Sequence, residues 1–294
     1  MNAHPKTTVL AVDPITETST SPRPPDFAKC LMRAAELLFP YFEAGKPIDA
    51  KTLRVAMEEA FGSSDAQGAW IWKDAYDAAE VAQIMMLSRY GAVMQRQATS
   101  PAAFLTMIER LAALAPSHTR RSEDSVRLQQ FSTPLPLAAI VAQAADIRTT
   151  DLVLEPSAGT GMLAVFARVS GARLALNELA ETRRNILGHL FPEVQVSDND
   201  AASIDDRLDR AIEPSVIVMN PPFSAAQHVD GKYRQATAQH VLSALARLAP
   251  GGRMVVITGE SFSPSTKSNQ STFRHIGEVA DLPDTAPAST RGSL

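Results

Sequence analysis

From residue 131 onward the chain alternates short β-type runs with helical patterns, and that alternation leaves few folds open. The runs are Asp151–Leu154, Ala172–Leu176, Glu193–Val196, Ser215–Met219 and Arg253–Thr258. Helical spacing fills Gly161–Ser170, Ala180–Leu190 and Lys232–Leu248 between them. Strands alternating with helices imply right-handed crossovers and a mostly parallel sheet, an α/β fold. In such sheets ligands bind beyond the carboxyl ends of the strands, so the residues just after each run are where chemistry is expected.

The text before residue 131 is different. Residues 1–26 are rich in Pro, Thr and Ser without periodicity and read as a disordered lead-in. Residues 27–116 are dominated by Ala, Leu, Met and Glu, with few β-branched residues. Phe27, Leu31, Ala34, Ala35, Leu38 and Phe42 follow helical spacing; Ile48–Phe61 gives a second helix and Gln67–Gln95 a third. Pro101 can occupy the first turn of a fourth helix running to Leu114. This is a helical module, in which Trp70, Trp72 and Tyr76 read as core. Residues 117–130 are polar and charged and read as a linker, in which Arg120, Arg121 and Arg127 could instead touch phosphates.

Four strand ends carry candidate site residues. Glu155-Pro-Ser157-Ala-Gly159-Thr-Gly161 follows the first run and opens a helix. Its glycines allow a tight turn and close approach of a ligand to the backbone. Glu178 follows the second run, placed to accept from ribose hydroxyls. Asp200 follows the third and could accept from an adenine amine, although Asp and Asn also favour turns. Asn220-Pro221-Pro222-Phe223 follows the fourth. Proline fixes φ and pushes the residue before it extended, so this turn is stiff. It can present the Asn220 amide oxygen and the Pro221 carbonyl as two acceptors for a planar NH₂ group, with Phe223 stacking on the ring that bears it.

Bulk charge offers no support for tight nucleic-acid binding, while a local basic patch stays open. Residues 1–130 carry 14 basic and 15 acidic side chains and residues 131–294 carry 14 and 17, so neither half is basic. No stretch approaches about 18 consecutive apolar residues, so no membrane span is expected. The N-terminus lacks the pattern of a secretory signal. The single cysteine, Cys30, excludes an internal disulfide framework, suggests no metal cluster and fits a reducing, cytoplasmic setting.

Together these residues resemble the class I S-adenosylmethionine-dependent amino-methyltransferases of the adenine-N6 DNA type, over roughly residues 131–260. The resemblance implies a Rossmann-like domain and S-adenosylmethionine as cofactor. Phe131-Ser-Thr133-Pro looks like the segment that lies against the cofactor in those enzymes. Glu155, Ser157, Gly159 and Gly161 look like the cofactor loop, Glu178 like the ribose ligand and Asp200 like the adenine ligand. Asn220, Pro221, Pro222 and Phe223 look like the catalytic motif. The helical leader, with Gly68-Ala-Trp70-Ile-Trp72-Lys-Asp-Ala-Tyr76, looks like the start of plasmid-borne methylase/helicase proteins related to strawberry notch. Those are far longer and carry a helicase-type region downstream, a candidate partner region not expected within these residues.

The family's sheet continues with two further strands, and residues 261–294 offer little to build them from. Residues 261–272 and 283–294 read as irregular or disordered, and Phe273–Leu282 could supply one short element. An open sheet edge is therefore expected. The implied partner is DNA or RNA, and the implied reaction is methyl transfer to an exocyclic amine, with adenine N6 in DNA first. Guanine N2 in RNA, another amine such as that of glutamine, a nicotinamide oxidoreductase and a truncated, non-catalytic binding module remain alternatives.

Overall fold

The structure, a computed structural model, describes residues 26–116, 132–222, 236–260 and 262–279. The candidate linker, Phe131 and Phe223 lie outside the described residues. Five strands form one parallel sheet: β1 (Leu152–Glu155), β2 (Arg173–Asn177), β3 (Val196–Ser197), β4 (Val216–Met219) and β5 (Arg253–Val256). Their order is β3-β2-β1-β4-β5. The chain starts in the middle, works outward to β3, then returns to the other side of β1. This is the doubly wound Rossmann-like order, and its direction reverses between β1 and β4, where ligands bind. Among the described residues no strand pairs with the outer edge of β5.

Alternation along the strands feeds two cores. Val153, Leu176, Val216 and Val218 point to one face; Leu154, Ala175, Ile217 and Met219 point to the other. The first face is covered by α5 (Leu135–Ala144), α6 (Ala164–Val169) and α7 (Glu181–Leu190). The second is covered by α8 (Ile204–Arg207), α9 (Ala236–Leu245) and α10 (Gln270–Val279). The element expected within Phe273–Leu282 is thus a helix that begins earlier, at Gln270. Its Ile276 packs on the second core, and Phe273 meets Phe262 with ring centroids 5.0 Å apart.

Asp151 ties the inlet ends of three strands together. Its carboxylate accepts from the Ser215 hydroxyl at 2.8 Å, the Arg148 N–H at 2.8 Å and the Arg253 guanidinium at 2.6 Å. Burial opposes ionisation there, but those donors outweigh it and hold the carboxyl below its usual range.

The helical module comprises α1 (Phe27–Glu43), α2 (Ala50–Phe61), α3 (Trp72–Gln97) and α4 (Pro101–Ala112). It packs directly on the α/β domain: α1 and α3 against each other, α1 on α7, α3 on α6 and α4 on α5. Its apolar residues are continuous with the first core. At Gly91 an added Cβ would lie 2.5 Å from Val169 Cγ2, so the absent side chain lets α3 approach α6.

Two helix starts differ from the sequence expectation, each for a capping reason. The second helix begins at Ala50, because the Asp49 carboxylate accepts from the Thr52 N–H at 2.7 Å. The third begins at Trp72, not near Gln67. Asp65–Gln67 is a short 3₁₀ turn ended by Gly68 at φ +76°, and the Asp74 carboxylate caps the Ile71 N–H at 2.9 Å. Trp70 therefore lies outside the helix, yet it is buried, with its indole N–H donating to the Ser63 carbonyl at 2.9 Å. No helix of the described residues is long and apolar enough to cross a membrane.

Candidate functional site

The loops that follow the strands are stitched together by a residue the sequence reading passed over. Asn177, at the end of β2, is 1% exposed. Its amide donates to the Pro156 and Asn199 carbonyls, both at 2.8 Å, and accepts from the Ser197 hydroxyl and the Asn199 N–H, both at 2.8 Å. All four bonds of one side chain are satisfied by the loop after β1, the end of β3 and the loop that follows it. A polar residue at a buried strand end was the available signal.

The glycine turn is closed by Glu178. One of its oxygens accepts from the Gly159 N–H and the other from the Ala180 N–H, both at 2.8 Å. Gly159 has φ +60°, and an added Cβ would meet only Arg183 Nη1 at 4.0 Å, an ordinary contact, so backbone conformation is what favours glycine there. Gly161 combines φ +98° with a close approach, since an added Cβ would lie 2.6 Å from the Phe191 ring. That approach is to α7 and its C-terminal flank, so Gly161 also lets the turn pack closely there.

Past β4, the Asn220 amide nitrogen donates to the Thr133 hydroxyl at 3.0 Å. Pro221 is buried, and the Pro222 carbonyl accepts from the Thr237 hydroxyl at 2.9 Å. Asp200 is exposed and accepts from the Ala202 N–H at 2.9 Å, the turn role that its sequence context also allows.

These loops surround a cleft of about 220 Å³. It brings together Thr133, Glu155, Ser157, Gly159, Glu178, Asp200, Asn220 and Pro222. It also brings in titratable side chains the sequence reading did not single out: Glu80, Arg183 and His240. Glu80 comes from α3 of the helical module. No sequence signal could have placed it there, because nothing in a helical heptad says which loop it will meet.

The cleft concentrates unpaired polar atoms. Glu155 Oε2, Ser157 Oγ, Asn220 Oδ1 and His240 Nδ1 are buried without a hydrogen-bond partner within the chain. Among the described residues only Arg247 Nε shares that state. Buried polar groups are nearly always paired, so four that converge on one cleft fit a ligand with several polar groups. The donor set suits a nucleoside-containing cofactor: carboxylates for hydroxyls and amines, and a glycine turn for close approach. Among the described residues no group of three or more His, Cys, Asp or Glu side chains could hold a metal ion.

Burial dominates the electrostatics. It pushes the Glu155 carboxyl well above its usual range, the Ala164 N–H opposes the shift, and the charges of Glu178 and Glu80 add to it. Burial and the neighbouring Asp77 raise Glu80 to about 7, against hydrogen bonds from Ser132 and Thr160 and the charge of Arg183. Burial lowers the His240 imidazole, against the charge of Asp200.

No family model matches the chain, and no curated protein matches it significantly. Solved structures similar to it include a proposed RNA methyltransferase from Pyrococcus horikoshii, 21% identical over 57% of this chain and 79% of that one, with a TM-score of 0.41. TrmN from Thermus thermophilus is 20% identical over 63% of this chain and 60% of that one, with a TM-score of 0.39. A modification subunit of a proposed type I restriction enzyme from Vibrio vulnificus is 15% identical over 60% of this chain and 44% of that one, with a TM-score of 0.41. The chain therefore spans less than two thirds of the length of the last two.

Proposed function

We propose that the chain is an S-adenosylmethionine-dependent methyltransferase acting on an exocyclic amine, adenine N6 in DNA first. One observation carries this reading. The Asn220 amide is fixed through its nitrogen by Thr133, which leaves Oδ1 buried and unpartnered in the cleft. A fixed acceptor beside the Pro221 carbonyl suits an NH₂ group with two hydrogens to give.

Glu155, Ser157, Glu178 and Asp200 would hold the cofactor, which supplies an electrophilic methyl on a cationic sulfur. Transfer breaks the carbon–sulfur bond and forms a carbon–nitrogen bond, and the amine then loses one proton to water. Asn220 Oδ1 and the Pro221 carbonyl accept from the amine and draw its lone pair out of conjugation. They act by orientation and electrostatics, so no strong base is needed. Phe223 stacks on the base. A base inside a duplex is out of reach, so the target is flipped or single-stranded.

The test is nucleoside mass spectrometry after incubation with cofactor and either single-stranded DNA or RNA. N6-methyladenine in DNA supports the reading, N2-methylguanine in RNA moves it to the other substrate, and no methylated nucleoside defeats it. Asn220→Ala should abolish transfer while leaving cofactor affinity, read by calorimetry, within about threefold. Loss of both together would overturn the role given to Asn220.

A further inference from the structure

We propose that Glu80, delivered by α3 of the helical module, receives the ammonium of the ligand's amino-acid end, so that the module forms part of the binding site. This rests on the S-adenosylmethionine reading above.

Glu80 is 6% exposed and lines the cleft. Its Oε1 accepts a short hydrogen bond from the Thr160 hydroxyl of the glycine turn, and its carboxylate also accepts from the Ser132 hydroxyl. It thus bridges the two segments that flank the cleft, one after β1 and one before α5. Two hydroxyl donors leave a carboxylate with acceptor capacity to spare.

The charges around it are unbalanced. From its own helix Asp77 faces it, and Asp77 is already paired with Lys73 at 2.6 Å. Glu155 from β1 faces it across the cleft, and Glu178 from the end of β2 stands beside Glu155. From α7 the cation Arg183 faces it. Against one guanidinium, burial holds Glu80 and Glu155 toward their protonated forms, and a ligand that brings positive charge favours their ionised forms. Glu155 gives an independent indication: it is 2% exposed, lines the same cleft, and its Oε2 has no partner. A zwitterionic amino-acid group fits both signs, with its ammonium on Glu80 and its carboxylate toward Arg183.

The test compares two uncharged-sulfur ligands. S-adenosylhomocysteine keeps the amino-acid end, and methylthioadenosine lacks it. Titration calorimetry on the full chain near pH 7, in two buffers of different ionisation heat, reads affinity and proton release together. S-adenosylhomocysteine should bind with release of a proton, because an ammonium lowers the affinity of the Glu80 carboxylate for its own. Methylthioadenosine should bind without it. Glu80→Gln should weaken S-adenosylhomocysteine by about tenfold or more, abolish the proton release and leave methylthioadenosine within about twofold.

A helix-packing role alone would move neither the proton release nor the discrimination between the two ligands. If the wild-type chain binds S-adenosylhomocysteine without releasing a proton, or if Glu80→Gln leaves its affinity and release unchanged, the assignment of Glu80 is wrong while the cofactor reading stands. If the wild-type chain binds neither S-adenosylmethionine nor S-adenosylhomocysteine, the cofactor reading fails and this proposal falls with it. The wild-type proton release needs no variant, so a variant that fails to fold does not protect the proposal.

Discussion

The amide nitrogen of Asn220 donates to the hydroxyl of Thr133 at 3.0 Å, joining residues 87 positions apart in sequence. The bond decides which way the amide faces. With the nitrogen engaged, Oδ1 is the atom left in the cleft. Thr133 lines the same cleft, and its hydroxyl is the partner of the Asn220 amide.

Thr133→Val keeps the shape and removes the hydroxyl. The methylation rate should fall by about 10- to 100-fold, because a displaced acceptor no longer orients the amine. Cofactor affinity should change little, and Thr133→Ser should stay near wild type. Equal losses in the Val and Ser variants would show that the hydroxyl does not position Asn220.

Glu80 predicts a pH dependence of stability. Its folded-state pKa is raised to about 7, so the folded chain holds the proton more tightly than the unfolded one. Its contribution is full below the ordinary carboxylate range and is lost as pH rises through about 7. Thermal melts should therefore show falling stability between about pH 5 and 8, by a few kcal/mol at most. Glu155 acts in the same direction. Glu80→Gln, which resembles the protonated acid, should flatten that slope and melt higher than wild type at pH 8. A variant that melts lower at pH 8 would contradict the sign.

The two positive-φ glycines of the turn after β1 should differ in tolerance. Gly159→Ala meets only Arg183 Nη1 at ordinary contact distance, 4.0 Å, and suffers mainly the backbone penalty, about 1–2 kcal/mol. Gly161→Ala adds an overlap with the Phe191 ring and should cost distinctly more, about 3 kcal/mol or above. Urea denaturation of the two variants side by side measures the difference.

Asn177→Ala removes four hydrogen bonds and leaves the Pro156 and Asn199 carbonyls without that donor. A loss of about 2–4 kcal/mol follows, read by urea denaturation. Asn177→Asp should be worse, because it sets a carboxylate against those two carbonyls.

The sequence by itself determined the elements and their order. The apolar runs read as strands became β1 to β5, within a few residues at each end, because short β-type apolar runs and the turns that bound them are local properties. The third run kept only Val196 and Ser197 as strand, since little of Glu193–Val196 finds a ladder partner. The strand ends could be searched for chemistry because a parallel sheet fixes where ligands approach, and eight of the residues chosen there and in the 132–134 segment line one cleft. Tertiary structure alone decided the rest. It placed Glu80 of the helical module against Thr160, turned the Asn220 amide toward Thr133, and seated Gly161 against Phe191. Each of these depends on how one helix or loop seats against another distant in sequence. Such seating is set by the packing of whole surfaces, which no short stretch of sequence encodes.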